Sequence, residues 1–449
     1  MNTDFVELVE RALGREEAQK LVAAMESGAQ PVSVRVNPAK GYAVADFRAV
    51  EWSRWGGYLP QRPSFTLDPH FHSGAYYVQE ASSMFVEELF RQAVGDQTRA
   101  LRLLDLCAAP GGKSTLYASL MPDGLVVAND VVRQRAVVLA DNIRRWGTGN
   151  VAVTNDDPSH FAALEEWFDV VAVDAPCSGE GMFRKSEEAR AAWSLDNVKL
   201  CAARQRRILS DIWGSLREGG ILIYSTCTFN PSENEENMEW LCREFDCQRV
   251  GIEIPDHWGV VRTEAAEAEC FHFYPHRVEG EGFFAAVVRK GGEGRRNDRA
   301  PKPRKTPLSE LDRKSAAQLS KYFLSPKRFA AVGDNIFAYD EALWNDFLTV
   351  SQQLSVVTSG TEVGSLFGAA LRPSHWLALS VDFRRESVPD CEVNLDEALR
   401  FLRRQDLTTV DALAEGVNLL CYENRPIGFV KRIGRRVNSL MPKEIRILM

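Results

Sequence analysis

The chain has 449 residues, 45% hydrophobic and 26% charged, with a formal net charge of −8. That is room for two to four ordinary globular domains, and the acidic sum by itself weighs against a nucleic-acid partner. No apolar run reaches about 18 residues, so neither a transmembrane helix nor a membrane partner is expected. The nine cysteines are scattered and odd in number, and residues 1–5 lack the basic and apolar segments of a secretory signal. Both features point to a reducing cytoplasm rather than a disulfide framework.

Residues 4–26 carry helical periodicity: Phe5, Leu8, Val9, Ala12 and Leu13, then Ala18, Leu21, Val22 and Met25. Residues 31–38 alternate like a strand and stop at Pro38. Residues 1–75 therefore read as a small α+β domain. From 76 onward strands and helices alternate. Strands are expected at 101–106, 125–128, 151–153, 168–173, 221–224 and 283–288. Helices are expected at 113–121, 132–146 and 193–217, the last stopping at Gly219-Gly220. The run 168–173 is wholly apolar, as a central parallel strand is. The alternation predicts an α/β fold with a doubly wound, Rossmann-like parallel sheet over 76–290. Residues 291–306 are rich in Gly, Arg, Lys and Pro without apolar period and read as a linker. Two small α+β modules follow, 307–384 and 385–449. The acid excess lies in residues 1–290, whereas 291–449 carry a slight excess of Lys and Arg, so local basic patches exist despite the sum.

Asp105-Leu-Cys-Ala-Ala-Pro-Gly-Gly-Lys113 follows the first of these strands and opens a helix. Small residues let the backbone approach a ligand, and the helix N-terminus offers free N–H groups. Gly-Gly-Lys-Ser-Thr resembles the end of a phosphate-binding loop, but that motif needs Gly where Cys107 stands. A nucleoside cofactor is the other reading. Asp130, at the end of the next strand, suits the ribose hydroxyls. Asp157, beside Asp156 after the third strand, suits an exocyclic amine. The plain alternative for Asp130 and Asp157 is a cap or turn acid.

Two cysteines end the next strands: Cys177 in Asp174-Ala-Pro-Cys-Ser-Gly-Glu-Gly181, and Cys227 in Ser225-Thr-Cys-Thr-Phe-Asn-Pro-Ser-Glu-Asn-Glu235. A residue just past a parallel strand faces the ligand crevice. Polar flanks set both apart from a packed cysteine such as Cys201. Ser232 and Glu235 have capping-box spacing, which predicts a helix start. Cys242, Cys247, Cys270 and His272 are near one another in sequence, yet no Cys-x-x-Cys pair exists, so no metal is expected.

In residues 107–113, 174–179, 226–228 and 231–235, with Arg35-Val-Asn37 and 74–83 upstream, the chain resembles the Sun-family RNA 5-methylcytosine methyltransferases. Its tail, 427–438 and 442–447, resembles the PUA-like module of RsmF-type 16S ribosomal RNA cytosine-C5 methyltransferases, with Met441 where an aromatic is expected. The resemblance implies a class I methyltransferase sheet, an RNA-binding-like N-terminal domain and a PUA-like module over 385–449. It implies S-adenosylmethionine as cofactor, held by Cys107, Ala108, Ala109, Pro110, Gly111, Gly112, Lys113, Asp130, Asp157 and Asp174. It implies that Cys227 is the nucleophile toward cytosine and that Cys177 assists elimination and release. Asp174 then binds the N3 and amine edge of the base, best if burial keeps its carboxyl protonated, and Lys113 completes the polar wall.

Arg35, Asn37 and the basic stretch 431–443 are candidates for RNA backbone contacts; Arg184-Lys185 is either a phosphate contact or a solvated pair. The expected partner is RNA, 16S or the small ribosomal subunit first and transfer RNA as the alternative, with no DNA, and the expected enzyme is a monomer. A ribosome-assembly protein that keeps the fold without catalysis is the competing reading. Intact Cys177, Cys227 and Asp174 favour an enzyme.

Overall fold

The computed structural model describes every residue except 29, 96–99, 293, 295–300, 369 and 449. Residues 293 and 295–300 of the expected linker thus lie outside the described residues. Two helices begin the chain, Thr3–Leu13 and Arg15–Glu26, and they bury Phe5, Val9, Ala18, Leu21 and Met25. These are positions the periodicity singles out. Strands β1 (Val32–Val36), β2 (Arg48–Ala49), β3 (Gly56–Leu59) and β4 (Tyr76–Val78) form one sheet in the order β2-β3-β1-β4. The N-terminal sheet therefore runs past residue 75, because Tyr76–Val78 completes its edge.

The central strands are β5 (Arg102–Asp105), β6 (Leu125–Asn129), β7 (Val151–Thr154), β8 (Phe168–Asp174) and β9 (Leu216–Thr226). They are parallel throughout and lie in the order β7-β6-β5-β8-β9. The chain leaves β5 toward β7 on one side and β8 toward β9 on the other, so the crevice opens beyond the ends of β5 and β8. Strands β10 (Cys247–Gln248), β11 (Val261–Ala265), β12 (Ala268–Phe273) and β13 (Phe283–Lys290) add an antiparallel flank, with β13 paired to β9. The sheet is thus mixed, parallel only at its centre. Helices cover both faces. Leu89, Leu116, Leu139 and Ile143, from the helices Val86–Val94, Gly112–Leu120 and Arg133–Trp146, share one core. Ile208, Leu209, Ile212, Met238 and Leu241, from Leu195–Trp213 and Glu235–Glu244, share the other.

Two local expectations give way. The long helix ends at Trp213 and β9 starts at Leu216, so Gly219-Gly220 lies inside a strand. The pairing with β8 shifts register between Phe168 and Val170, and Gly219 sits at φ +67 within the resulting irregularity, where a side chain would be strained. The capping box also does not form. The helix Glu235–Glu244 has Asn234 at its N-cap with no side-chain cap bond, because Asn234 Oδ1 accepts from Thr226 Oγ1, and Glu235 Oε1 is taken by Thr263 and His272.

The C-terminal part is not a simple appendage. Strands β14 (Ser309–Glu310), β15 (Lys327–Val332), β16 (Asn335–Asp340), β18 (Thr361–Phe367) and β19 (Ala370–Pro373) form one antiparallel sheet, but β17 (Val356–Ser359) joins the central sheet antiparallel to β7. Asp156 Oδ2 accepts from Ser355 N at 2.7 Å and fastens this edge. The last sheet runs β20 (Asp390–Glu392), β21 (Gly416–Tyr422), β22 (Arg425–Ile433) and β23 (Arg436–Ser439). Met441 is buried in its core. Among the described residues no helix is long and apolar enough to cross a membrane.

Candidate active site

Gly111 caps the helix Gly112–Leu120 with φ +111, and a Cβ there would sit 3.0 Å from Leu139 Cδ1. Both facts explain glycine at that point. The loop is braced from behind. Arg35 is 0% exposed and donates to Gly112 O at 2.9 Å, Thr115 Oγ1 at 2.6 Å and Gln79 Oε1 at 2.8 Å. Asn37 is equally buried and donates to the carbonyls of Gly74 and Trp146. Neither can touch an RNA backbone from there. Their role is to seat the N-terminal sheet against the loop and the helix that follows.

Three strand ends are tied together by one side chain. Asn129 donates to Leu106 O and Asp156 O and accepts from Thr154 Oγ1 and Asp156 N. Asp130 follows it. Its Oδ1 accepts from Val132 N at 2.9 Å, while its Oδ2 is buried without a hydrogen-bond partner and has only the Arg135 guanidinium at 3.3 Å. An orphaned carboxylate oxygen at this position fits a pair of hydroxyl donors from a ligand. Asp157 behaves as the plain alternative describes. Its Oδ1 caps the short 3-10 helix Pro158–Leu164 through Ser159, and its Oδ2 pairs with Arg207 at 3.3 Å. Burial pushes the Cys107 thiol well above its ordinary range. Asp105 is 1% exposed; its Oδ2 accepts from Ser114 Oγ at 2.6 Å and its Oδ1 has no partner.

The two sulfurs meet: Cys177 Sγ lies 3.2 Å from Cys227 Sγ. The hydrogen bond to Cys227, and then burial, hold the Cys177 thiol far above its usual range. Beside them Lys113 Nζ is 2.9 Å from Asp174 Oδ2, and Ser225 Oγ donates to Asp174 Oδ1 at 2.8 Å. Burial opposes the Lys113 charge, but Asp174, Asp105 and Cys227 overcome it and hold its ammonium above the usual lysine range. The Asp174 side chain is 37% exposed and ion-paired, so burial does not isolate it as the protonation argument requires.

Sequence reasoning passes over what holds the sulfurs together. Glu180, on the Cys177 loop, accepts from Phe229 N at 2.7 Å and Asn230 N at 3.1 Å on the Cys227 loop. Glu233, on the Cys227 loop, accepts in return from Ser178 N at 3.0 Å. Asn230 Nδ2 donates to both acids, at 2.9 and 2.8 Å. Gly181 N donates to Cys227 O at 2.9 Å, and Ser178 Oγ meets Thr228 Oγ1 at 3.1 Å. Each loop thus grips the other's backbone through a buried carboxylate. The available signal was an acid three residues past Cys177 and another six past Cys227, in loops rich in small residues. Arg184 is neither a phosphate contact nor solvated: it is buried against Glu281 Oε2 at 2.9 Å, with Lys185 3.6 Å from the same carboxylate. Of the basic tail, Lys431, Arg435 and Arg436 are exposed on the β22–β23 hairpin. No group of three or more His, Cys, Asp or Glu suited to a metal occurs among the described residues.

Family profiles match residues 95–289 as 16S rRNA methyltransferase RsmB/F, 1–81 as the N-terminal domain of 16S rRNA methyltransferase RsmF, and 388–447 as the methyltransferase RsmF PUA domain. The ribosomal RNA small subunit methyltransferase F of Erwinia tasmaniensis is 31% identical over 445 residues, covering 92% of this chain and 90% of that protein. Its counterpart in Aeromonas salmonicida is 32% identical over 437 residues with the same coverage. Among solved structures, a methyltransferase homolog from Pyrococcus horikoshii is 31% identical with a TM-score of 0.54, covering 65% of this chain and 95% of that one. NSun6 of the same organism, 20% identical with a TM-score of 0.54, shares the fold over 65% of this chain and 99% of its own.

Proposed function

The chain belongs to the RsmF-type 16S ribosomal RNA methyltransferases, and from that membership we propose that it methylates carbon 5 of a cytosine in small-subunit ribosomal RNA through a covalent bond from Cys227. The observation that carries the reading is the pair of sulfurs 3.2 Å apart beside the Lys113–Asp174 ion pair.

Carbon 5 of cytosine is a poor nucleophile. When the Cys227 thiolate adds to carbon 6, the carbon 5–carbon 6 π pair is released toward carbon 5, which can then take a methyl group. S-adenosylmethionine, when bound, supplies that methyl as an electrophilic sulfonium substituent. The residues suited to hold the cofactor are 107–113 by their backbone and Asp130 by its orphaned Oδ2, whereas both Asp157 oxygens are engaged by Ser159 and Arg207. Asp174, oriented by Lys113 and Ser225, receives the amine edge of the base. Loss of the carbon 5 proton then returns an electron pair to the ring and expels the Cys227 sulfur. Cys177, whose sulfur lies 3.2 Å away, donates its proton to that sulfur as it leaves. The target base must leave its stack to enter the crevice, and the exposed hairpin of Lys431, Arg435 and Arg436 supplies salt-sensitive attraction to phosphates. The cytoplasm is the compartment this role requires.

Tritiated-methyl transfer to unmodified 16S RNA, small subunits, transfer RNA and DNA tests the substrate. Cys227→Ser is expected to abolish transfer, and Cys177→Ser to accumulate a covalent RNA–protein adduct. The opposite pattern overturns the roles, and transfer to transfer RNA alone overturns the substrate.

A further inference from the structure

A cavity of ≈ 300 Å³ lies between the N-terminal sheet and the helix Arg133–Trp146, with Phe65, Phe71, Tyr76, Tyr77, Arg62 and Arg145 on its walls. None of its lining residues is acidic, in a chain of net charge −8. A second cavity, of ≈ 270 Å³ beside the Cys227 loop, is lined by His272, His276 and Arg277 but also by Glu17 and Glu235. Its charges are matched from within: His272 is 2.6 Å from Glu235, and Arg277 is 2.6 Å from Glu17. The first cavity has no such match.

Its cations rest on rings instead. The Arg145 guanidinium lies 5.2 Å over Phe71, and that of Arg62 lies 5.4 Å over Phe65. Behind the wall, Arg35 lies 4.6 Å over Trp146 and has a buried Nη1 without a partner. Lys40 Nζ donates only to the carbonyls of Ser73 and Arg145. Among the described residues no carboxylate is within ion-pair distance of Arg35, Lys40, Arg62 or Arg145. Burial pushes Arg35 down to about 9 and lowers Arg145 as well, against only partial opposition from Glu87 and Asp141 respectively.

The cavity also touches the cofactor loop. Asn142, on its wall, donates to Pro110 O at 2.8 Å, and Tyr77 Cε1 is 3.4 Å from where a Cβ on Gly112 would stand. The volume is at the lower limit for small-ligand pockets, about 300–1,000 Å³; one base enters, a duplex does not.

We infer that this pocket holds one unstacked base of the substrate RNA, other than the target cytosine, with the ring against Phe71 and Tyr77 and an adjoining phosphate on Arg62 and Arg145. Aromatic faces accept any base by stacking, and guanidinium groups take the phosphate. The inference rests on the reading of RNA as substrate.

The test uses Arg62→Glu and Phe71→Leu in the full chain. Each is expected to raise the KM for RNA roughly ten-fold, with kcat at saturating RNA and the KM for the cofactor unchanged. Arg62→Glu should also flatten the log–log salt dependence of RNA binding by at least about 0.7, one single-strand phosphate contact. Ultraviolet crosslinking should join a nucleotide other than the target to Tyr77 or Phe71. A change in RNA KM below about two-fold in both variants, with an unchanged salt slope, overturns the inference, as does a free nucleoside monophosphate that binds the pocket while RNA binding is unaffected by either variant. If the wild type methylates no RNA yet Arg62→Glu weakens binding of the same RNA, the catalytic reading falls and the pocket stands.

Discussion

The crevice and the aromatic pocket treat charge in opposite ways. In the crevice, Glu180 and Glu233 are buried acids with no cation beside them. Backbone N–H groups and the Asn230 amide satisfy them instead, and the donors belong to the opposite loop. Charge buried this way carries rigidity, because each bond fixes a backbone atom rather than a flexible side-chain tip. In the pocket, Arg62 and Arg145 rest on aromatic faces, and among the described residues no carboxylate is within ion-pair distance of either. A completed network holds geometry for chemistry; an incomplete one leaves binding energy for a partner.

The sharpest way to break the contrast is Glu180→Ala. It strands the amides of Phe229 and Asn230 and the Trp193 indole N–H, each a buried donor worth about 1–3 kcal/mol. Denaturant unfolding should register a loss of several kcal/mol, and kcat should fall about 100-fold as the sulfurs drift. A variant that loses stability but keeps its rate would reduce the brace to scaffolding. Glu233→Gln keeps size and one acceptor, so the effect is smaller, about ten-fold in turnover. Because Glu233 holds the Cys177 loop, release should slow more than addition, and adduct should build up on a denaturing gel.

Asp105 sharpens the comparison through pH. Burial, with Asp174 nearby, raises its carboxyl to about 7. The folded protein therefore retains a proton that the unfolded chain loses above its ordinary value of 3.8. The associated stability is fully present below that value and is lost as pH rises to about 7. Asp105→Asn should flatten the decline in Tm between about pH 4 and 7; an unaltered decline would assign it to other groups. The smallest effect is expected from Arg435→Ala on the exposed hairpin. Stability should stay within about 0.5 kcal/mol, while the salt slope of RNA binding drops by about 0.7.

Much of the crevice is legible in the chain because its parts are local. The apolar run 168–173 must be buried on both faces, and whatever follows it stands at the sheet's open end. The same holds for Cys227 after 221–224 and for 107–113 after the first strand. Arg35 and Asn37 mislead because the composition of a short strand does not say which face meets a neighbouring domain. Gly219-Gly220 misleads because two glycines stop a helix and bend a strand equally well. β17 is invisible for a related reason: four residues with weak alternation become a strand only when the edge of β7 is free to pair.

The order of elements, the strand ends that carry Cys177, Cys227, Asp174 and Asp130, and the glycine turn follow from side-chain periodicity and backbone freedom, which act over a few residues. The reciprocal grip of Glu180 and Glu233, the meeting of two sulfurs 50 positions apart, the burial of Arg35 and the unanswered charge of the aromatic pocket were decided only when distant segments packed. Hydrogen bonds and ion pairs reach about 3–4 Å, and that proximity exists between remote residues only after the core has brought their strands into register.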